Sequence, residues 1–260
     1  MHKKALLVVS FGTSYEETRK KTIDKIEESL ANHFSDYQIH RAFTSQMIIN
    51  KLKKRDGVHI HNPKEALNEL IEQGFEEVLI QPTHIINGSE YEGLYTDILE
   101  FKDKFAKIKL GKPLLTSTED YKTVVHAMSQ IFPKYQEDTI LLLMGHGSEH
   151  HANSAYPCLD YIFKEEGFKH VHIATVEGFP ELDTIINKSE LASIKKFTLI
   201  PLMIVAGDHI QNDLVGDDED SWKSILLSKG YQVDAIITGM GEIEPIRQMF
   251  IEHAKSAMPI

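Results

Sequence analysis

Residues 6–14 read LLVVSFGTS and residues 141–149 read LLLMGHGSE. Each is an apolar run that stops at a polar turn containing glycine. A strand buried on both faces has that unbroken apolar character, and such strands belong to parallel sheets covered by helices. Two further stretches recur in the same order. Residues 39–45, IHRAFTS, match residues 171–177, VHIATVE, and residues 79–89, LIQPTHIINGS, match residues 199–209, LIPLMIVAGDH. Three ordered matches predict an internal duplication.

Helical patterns lie between these runs. Gly12 and Thr13 open one in which Ile23, Ile26 and Leu30 share a face. Pro63 starts and Gly74 stops another over residues 64–73, the usual asymmetry of helix ends. Residues 91–105, 118–132 (with Thr118 as N-cap) and 242–257 read as helices, and 77–81, 107–110, 140–144, 197–205 and 231–237 as strands. The fold class expected is α/β: two similar βα domains with parallel sheets covered by helices, and a cleft between them. The domains are expected at 1–125 and 126–241, with a final helix over 242–260 packing back across both.

Composition narrows the function. The chain has 260 residues and a net charge of −11, so broad nucleic-acid binding, which needs clustered cations, is excluded. One cysteine, Cys158, rules out a disulfide framework and any multi-cysteine metal site. Following Pro157, it reads as a small buried hydrophobe. No run approaches the ~20 apolar residues of a membrane span. The start, Met1-His2-Lys3-Lys4, leads into too short an apolar stretch for a secretory signal. A cytoplasmic protein is expected.

Ligands of parallel α/β sheets gather beyond the carboxyl ends of the strands. His146, Glu177 and His209 stand at three such ends, 31 and 32 residues apart, about one βα unit each. The matched positions in the first half are Phe11, Ser45 and Ser89, none a strong metal ligand. Two imidazoles and a carboxylate leave coordination positions open on a divalent ion, which suits a metal that reacts or departs. Glycines around His146 allow close approach of a flat ligand. Gly147 and Ser148, with Ser10, Phe11, Gly12 and Thr13 in the first half, form loops whose amides would receive carboxylates at helix starts. His84 is placed towards the cleft by the duplication. The acidic run 212–220 reads as a solvated loop, and Trp222 as a packing residue. No phosphate-binding glycine motif occurs.

Further stretches carry a resemblance: KKALLVVSFGTS, RAFTSQMIINKLKKRDG, HIINGSEYE, MGHGSEHH, PLMIVAGDHIQND and DDEDSWK. Together they resemble the anaerobic cobalt chelatases of the CbiK type, from residue 3 to about 250. The resemblance implies a ferrochelatase-like fold. It implies insertion of Co²⁺ into sirohydrochlorin, or its precursor precorrin-2, during anaerobic cobalamin synthesis. It carries the metal ligands onto His146, Glu177 and His209, and the role of proton acceptor onto His146. The partner implied is a tetrapyrrole, with Co²⁺ as substrate metal and Fe²⁺ or Ni²⁺ as alternatives. A homo-oligomer is left open. Rival readings are iron insertion for sirohaem, a metal-dependent hydrolase in which Glu181 or Asp208 activates water, and a metal or haem carrier without chelatase activity.

Overall fold

The computed structural model describes residues 3–187 and 193–260; the first two residues of the N-terminal reading, Met1 and His2, lie outside the described residues. In chain order the elements are β1 (Lys4–Ser10), α1 (Glu16–Lys21), α2 (Ile23–His33), β2 (Gln38–Phe43), α3 (Gln46–Asp56), α4 (Pro63–Glu72), β3 (Glu77–Pro82), α5 (Ser89–Leu99) and β4 (Lys107–Leu110). There follow α6 (Thr118–Ser129), β5 (Thr139–Gly145), α7 (Ala155–Glu165), β6 (Val171–Thr175), α8 (Leu182–Ile186), β7 (Lys196–Pro201), α9 (Trp222–Ser228), β8 (Gln232–Ala235), α10 (Glu244–Lys255) and β9 (Met258–Pro259).

These elements form two α/β units. The first runs to Thr116 and takes back Glu244–Ile260; the second is Ser117–Ile243. The division therefore falls before α6 rather than near residue 125. The reason is local: Ser117, not Thr118, caps α6 in a reciprocal box with Asp120, and α6 packs on α7. In the first unit α10 packs on α2 and β3, and β9 pairs antiparallel with β4.

The first sheet has the order β2-β1-β3-β4-β9 and the second β6-β5-β7-β8. All pairings other than β4 with β9 are parallel. Ala5, Leu6, Leu7, Val8 and Val9 of β1 are fully buried, and β5 is buried throughout. These unbroken apolar runs are central strands, as their sequence predicts. Burying each such side chain contributes about 1.5–3 kcal/mol before chain entropy is counted.

Register tests the duplication. Leu6 pairs with Ile39 and Leu79; Leu141 pairs with Val171 and Thr198. The first two sequence matches thus coincide with the register, but the third slips by one, since Leu79 corresponds to Thr198 and not Leu199. Pro82 and Pro201 show why: each ends the third strand of its sheet, opposite Val9 and Met144 respectively. Hydrogen bonding to the central strand sets the correspondence, and the shared Leu-Ile dipeptide misplaces it. Carried forward, the counterpart of His209 is Glu90, not Ser89.

Other differences have local causes. The helix opened at Gly12 starts at Glu16 and breaks at Thr22, whose hydroxyl donates back to the Thr18 carbonyl at 2.7 Å. The helix over 91–105 ends at Leu99, and turns then deliver Phe101 and Phe105 to the core. The strand expected over 197–205 ends at Pro201, whose ring brings no amide of its own to the ladder. Trp222 packs in the core of the second unit. Cys158 is exposed rather than buried, because α7 turns Ala155, Tyr156, Leu159, Ile162 and Phe163 inward.

Candidate metal centre

His146 follows the end of β5, Glu177 follows β6 by two residues, and His209 lies eight residues past β7. Parallel strands deliver all three to one end of the second sheet. Each residue offers a ligand atom, and the three atoms lie within 4.8 Å of one another. His146 Nδ1 is 3.8 Å from Glu177 Oε2. The two imidazole rings meet edge to face with centroids 4.8 Å apart. The Glu177 side chain is 57% exposed and the His146 side chain 38%, so an ion can arrive and leave without the fold opening.

Backbone hydrogen bonds fix the first two candidate ligands. Beyond the strand ends the pairing continues for two more rungs: the Val176 amide donates to the Gly145 carbonyl at 3.1 Å, and the Glu177 amide to the His146 carbonyl at 2.8 Å. Gly145 is required because a Cβ there would lie 2.4 Å from Cε1 of Tyr156. Gly147 takes φ of +83°, and a Cβ would lie 2.6 Å from the Gly178 nitrogen.

The imidazoles are oriented by acceptors. His146 Nδ1 lies 3.0 Å from the Gly147 carbonyl oxygen, and His209 Nδ1 lies 2.6 Å from Asp213 Oδ2. A carbonyl or carboxylate oxygen can only accept, so in both rings Nδ1 donates, which leaves Nε2 as the candidate ligand atom. That tautomer suits metal ligation, and a carboxylate behind a ligating histidine is a common arrangement. His209 opens a π turn over Ile210–Leu214, which places Asp213 four residues on against its ring.

The loops differ from expectation in their free amides. The Ser148 amide donates to Asn153 Oδ1 at 3.0 Å, and the His146 and Gly147 amides meet the Tyr156 hydroxyl. Burial pushes that phenol up to about 12, the two amides opposing the shift. Ser148 Oγ accepts from the His150 amide. In the first unit Ser10 is buried and its Oγ accepts from Thr83 Oγ1 at 2.9 Å, while Thr13 is buried and its Oγ1 accepts from the Tyr15 amide. The Ser148 amide thus has an intramolecular partner, while Ser10 Oγ, Thr13 Oγ1 and Ser148 Oγ serve as acceptors within their own surroundings. Gly12, at φ of +103°, lets the turn pass over Phe43. Phe11 presents a ring that is 42% exposed. Both ring nitrogens of His84 are shielded from solvent without a hydrogen-bond partner, and burial lowers its pKa to about 4, so this imidazole stays neutral.

Sequence reasoning missed three supporting residues: Asn153, Tyr156 and Asp213. Asp213 left a signal, the four-residue spacing from His209 on one helical face. Inside an acidic run it was indistinguishable from solvated neighbours. Asn153 and Tyr156 left none.

Against this geometry stand the comparisons with known proteins. A family model described as cobalt chelatase (CbiK) matches residues 4–259. A sirohydrochlorin cobaltochelatase of Salmonella typhimurium is 43% identical over 256 residues, covering 98% of this chain and 97% of that one. Sirohydrochlorin cobaltochelatase CbiKC of Nitratidesulfovibrio vulgaris is 30% identical over 265 residues, covering 99% and 92%. Among solved structures, SirB from Bacillus subtilis with Fe³⁺ aligns with a TM-score of 0.63 at 15% identity, covering 98% of this chain and 95% of that one. CbiX, described as the terminal enzyme for siroheme biosynthesis in denitrifying bacteria, aligns at 0.57 and 18%, covering 98% and 99%. At these identities the two structures show a shared fold and nothing further.

Proposed function

The chain belongs to the cobalt chelatase (CbiK) family, and we propose that it acts as a sirohydrochlorin cobaltochelatase whose metal substrate is held by His146, Glu177 and His209. The enzyme inserts Co²⁺ into sirohydrochlorin, in anaerobic cobalamin synthesis, with release of two pyrrole N–H protons. The observation that carries the site is the convergence of three ligand atoms, from three strand ends, to within 4.8 Å.

Insertion has to strip water from the ion, distort the ring and remove two protons. Two imidazoles and one carboxylate replace part of the hydration shell and leave the remaining positions labile. Their exposure suits an ion that is cargo rather than a structural part. His146 presents an Nε2 lone pair in the tautomer set by Gly147, and takes a pyrrole proton once the ion has left for the ring. Such general-base help is typically worth ~10²–10⁴-fold. His209, held by Asp213, remains with the metal.

Among the proposed substrate contacts, Phe11 offers an exposed apolar ring face to a flat macrocycle. Gly12, Gly147 and Ser148 allow close approach, and Ser10 and Thr13 shape their loop. His84, being neutral, contributes contact rather than charge. Affinity alone does not choose cobalt, since nitrogen and oxygen sites bind Ni²⁺ more tightly and Fe²⁺ less. Fe²⁺ and Ni²⁺ therefore stand as competing metals. Among the described residues no helix is long and apolar enough to cross a membrane. The compartment proposed is the cytoplasm, where the exposed thiol of Cys158 would stay reduced.

The test is metallation of sirohydrochlorin by the purified protein with Co²⁺, Fe²⁺ and Ni²⁺ compared, followed by absorbance. Turnover with Co²⁺, lost in His146→Ala, is the expected result. Stoichiometric binding without metallation would make the protein a carrier instead. An unchanged rate in His146→Ala would remove this residue from the mechanism.

A further inference from the structure

His146 and Glu177 stand on separate loops, and one side chain joins those loops. Asn153 sits in a 3-10 turn over His151–Ser154. Its Oδ1 accepts from the Ser148 amide at 3.0 Å, two residues past His146. Its Nδ2 donates to the Phe179 carbonyl at 2.6 Å, two residues past Glu177. Both ends of one amide are used, one on each ligand loop.

The loops are shaped to meet at this point. A Cβ on Gly178 would lie 2.5 Å from Asn153 Oδ1 and 2.8 Å from the Ser148 nitrogen, so only glycine lets the Glu177 loop come this close. Beyond Phe179, the Pro180 carbonyl accepts from the Thr175 amide at 2.7 Å, which closes the loop on its own strand. Glu177 therefore occupies a small closed loop whose far side is pinned by Asn153.

The first unit supplies an internal control. It repeats the backbone pairing, with the Ser45 amide donating to the Phe11 carbonyl at 3.2 Å, and it repeats the small turn made by Ser148, with Thr13 Oγ1 accepting from the Tyr15 amide. Among the described residues the clip is not repeated. By the strand register the counterpart of Gly178 is Gln46, which starts α3, and that of Asn153 is Thr18, within α1. The clip is present in the half that holds the ligands and missing from the half that lacks them.

We propose that Asn153 is a positioning residue for the metal substrate: it locks the His146 and Glu177 loops together and so sets the separation of two ligands before the ion arrives. This rests on the metal role of His146, Glu177 and His209 proposed above. Partners behind metal ligands typically change affinity by about 10–100-fold when removed.

The experiment uses the full-length protein with Co²⁺ alone, titrated by calorimetry and by the visible absorption of bound Co²⁺, and then with sirohydrochlorin. Asn153→Ala should weaken Co²⁺ binding about 10–100-fold, alter the cobalt band and raise KM for Co²⁺ while leaving KM for sirohydrochlorin unchanged. Asn153→Asp keeps the acceptor for Ser148 but sets a carboxylate against the Phe179 carbonyl; it should fall between wild type and Asn153→Ala and covers the case in which the alanine variant does not fold. Wild-type Co²⁺ affinity and spectrum in either folded variant would overturn the proposal. So would an equal rise in both KM values alongside a lowered melting temperature, which marks a general structural role. Should wild-type protein bind no Co²⁺ while His146→Ala, Glu177→Ala and His209→Ala behave identically to it, the metal site itself has failed, and the clip with it.

Discussion

The two units repeat one another bond for bond where their ligand loops begin. In the first, the Thr44 amide donates to Ser10 and the Ser45 amide to Phe11; in the second, Val176 donates to Gly145 and Glu177 to His146. Gly12 and Gly147 both take positive φ at the following position. On this shared backbone the first unit places Phe11, Ser45 and Glu90, and the second His146, Glu177 and His209. The second unit also carries Asp213 behind His209 and Tyr156 against Gly145. A parallel sheet thus supplies converging strand ends in both units, but a metal site needs side chains that donate and neighbours that orient them.

The comparison can be broken most directly by giving the second unit the first unit's residue. His146→Phe should lower the rate of Co²⁺ insertion by about 10²–10⁴-fold, the usual worth of a general base, with further loss from the missing ligand. Stopped absorbance traces of metallation would check it. A variant within twofold of wild type would mean that the two loops are interchangeable.

The next effect lies behind a ligand. Asp213→Leu installs the residue that the register matches at Leu94. It should weaken Co²⁺ binding about 10-fold, since His209 loses the acceptor that fixes its tautomer. Calorimetric titration reads this, and unchanged affinity would show that the ring needs no such support.

Glycine offers a paired test of stability. Gly12→Ala and Gly147→Ala should each destabilise the fold by about 1–3 kcal/mol, because both demand a backbone that L side chains rarely adopt. Urea unfolding measures this. Only Gly147→Ala should also weaken Co²⁺ binding, because its added Cβ presses on the Gly178 backbone beside Glu177.

A smaller contrast lies on the outer strands. Arg41 of β2 pairs with Glu27 and Asp24, whereas its counterpart Ile173 in β6 is fully buried. Burial of Glu27 raises its carboxyl pKa, with Arg41 opposing the shift. The folded state therefore holds that proton more tightly than the unfolded chain, and this group's contribution declines as pH rises from the ordinary carboxylate range through its folded pKa. Arg41→Ala removes the opposing cation and should destabilise by about 1–2 kcal/mol at pH 7, in line with stranding a carboxylate with reduced access to water. The loss should shrink as pH falls towards 4 and Glu27 takes up a proton. Thermal melts across that range check the sign. A loss that grew on acidification would contradict it.

Much of this was legible because apolar runs report their own burial. Residues 5–9 and 140–144 could be read as central strands, since a strand covered on both faces has no polar side to show. Pro63 and Gly74 marked a helix because their backbone angles admit little else. The candidate ligands were legible as exceptions, polar residues of a donating kind where the duplicated half held others. Cys158 was misread because its side chain's direction depends on which face of α7 the neighbours bury. The slip of the third match arose because a shared Leu-Ile outweighed the prolines that end both strands.

Residue order alone therefore determined the βα alternation, the doubling and the three candidate ligands, since these rest on patterns within a few turns of chain. Tertiary structure alone decided that the strand register matches Glu90 rather than Ser89 to His209, that Asn153 bridges two loops, and that Tyr156 and Asn153 meet the amides at the turn. Those outcomes depend on groups far apart in the chain meeting at hydrogen-bonding distance, and no local pattern encodes a distance.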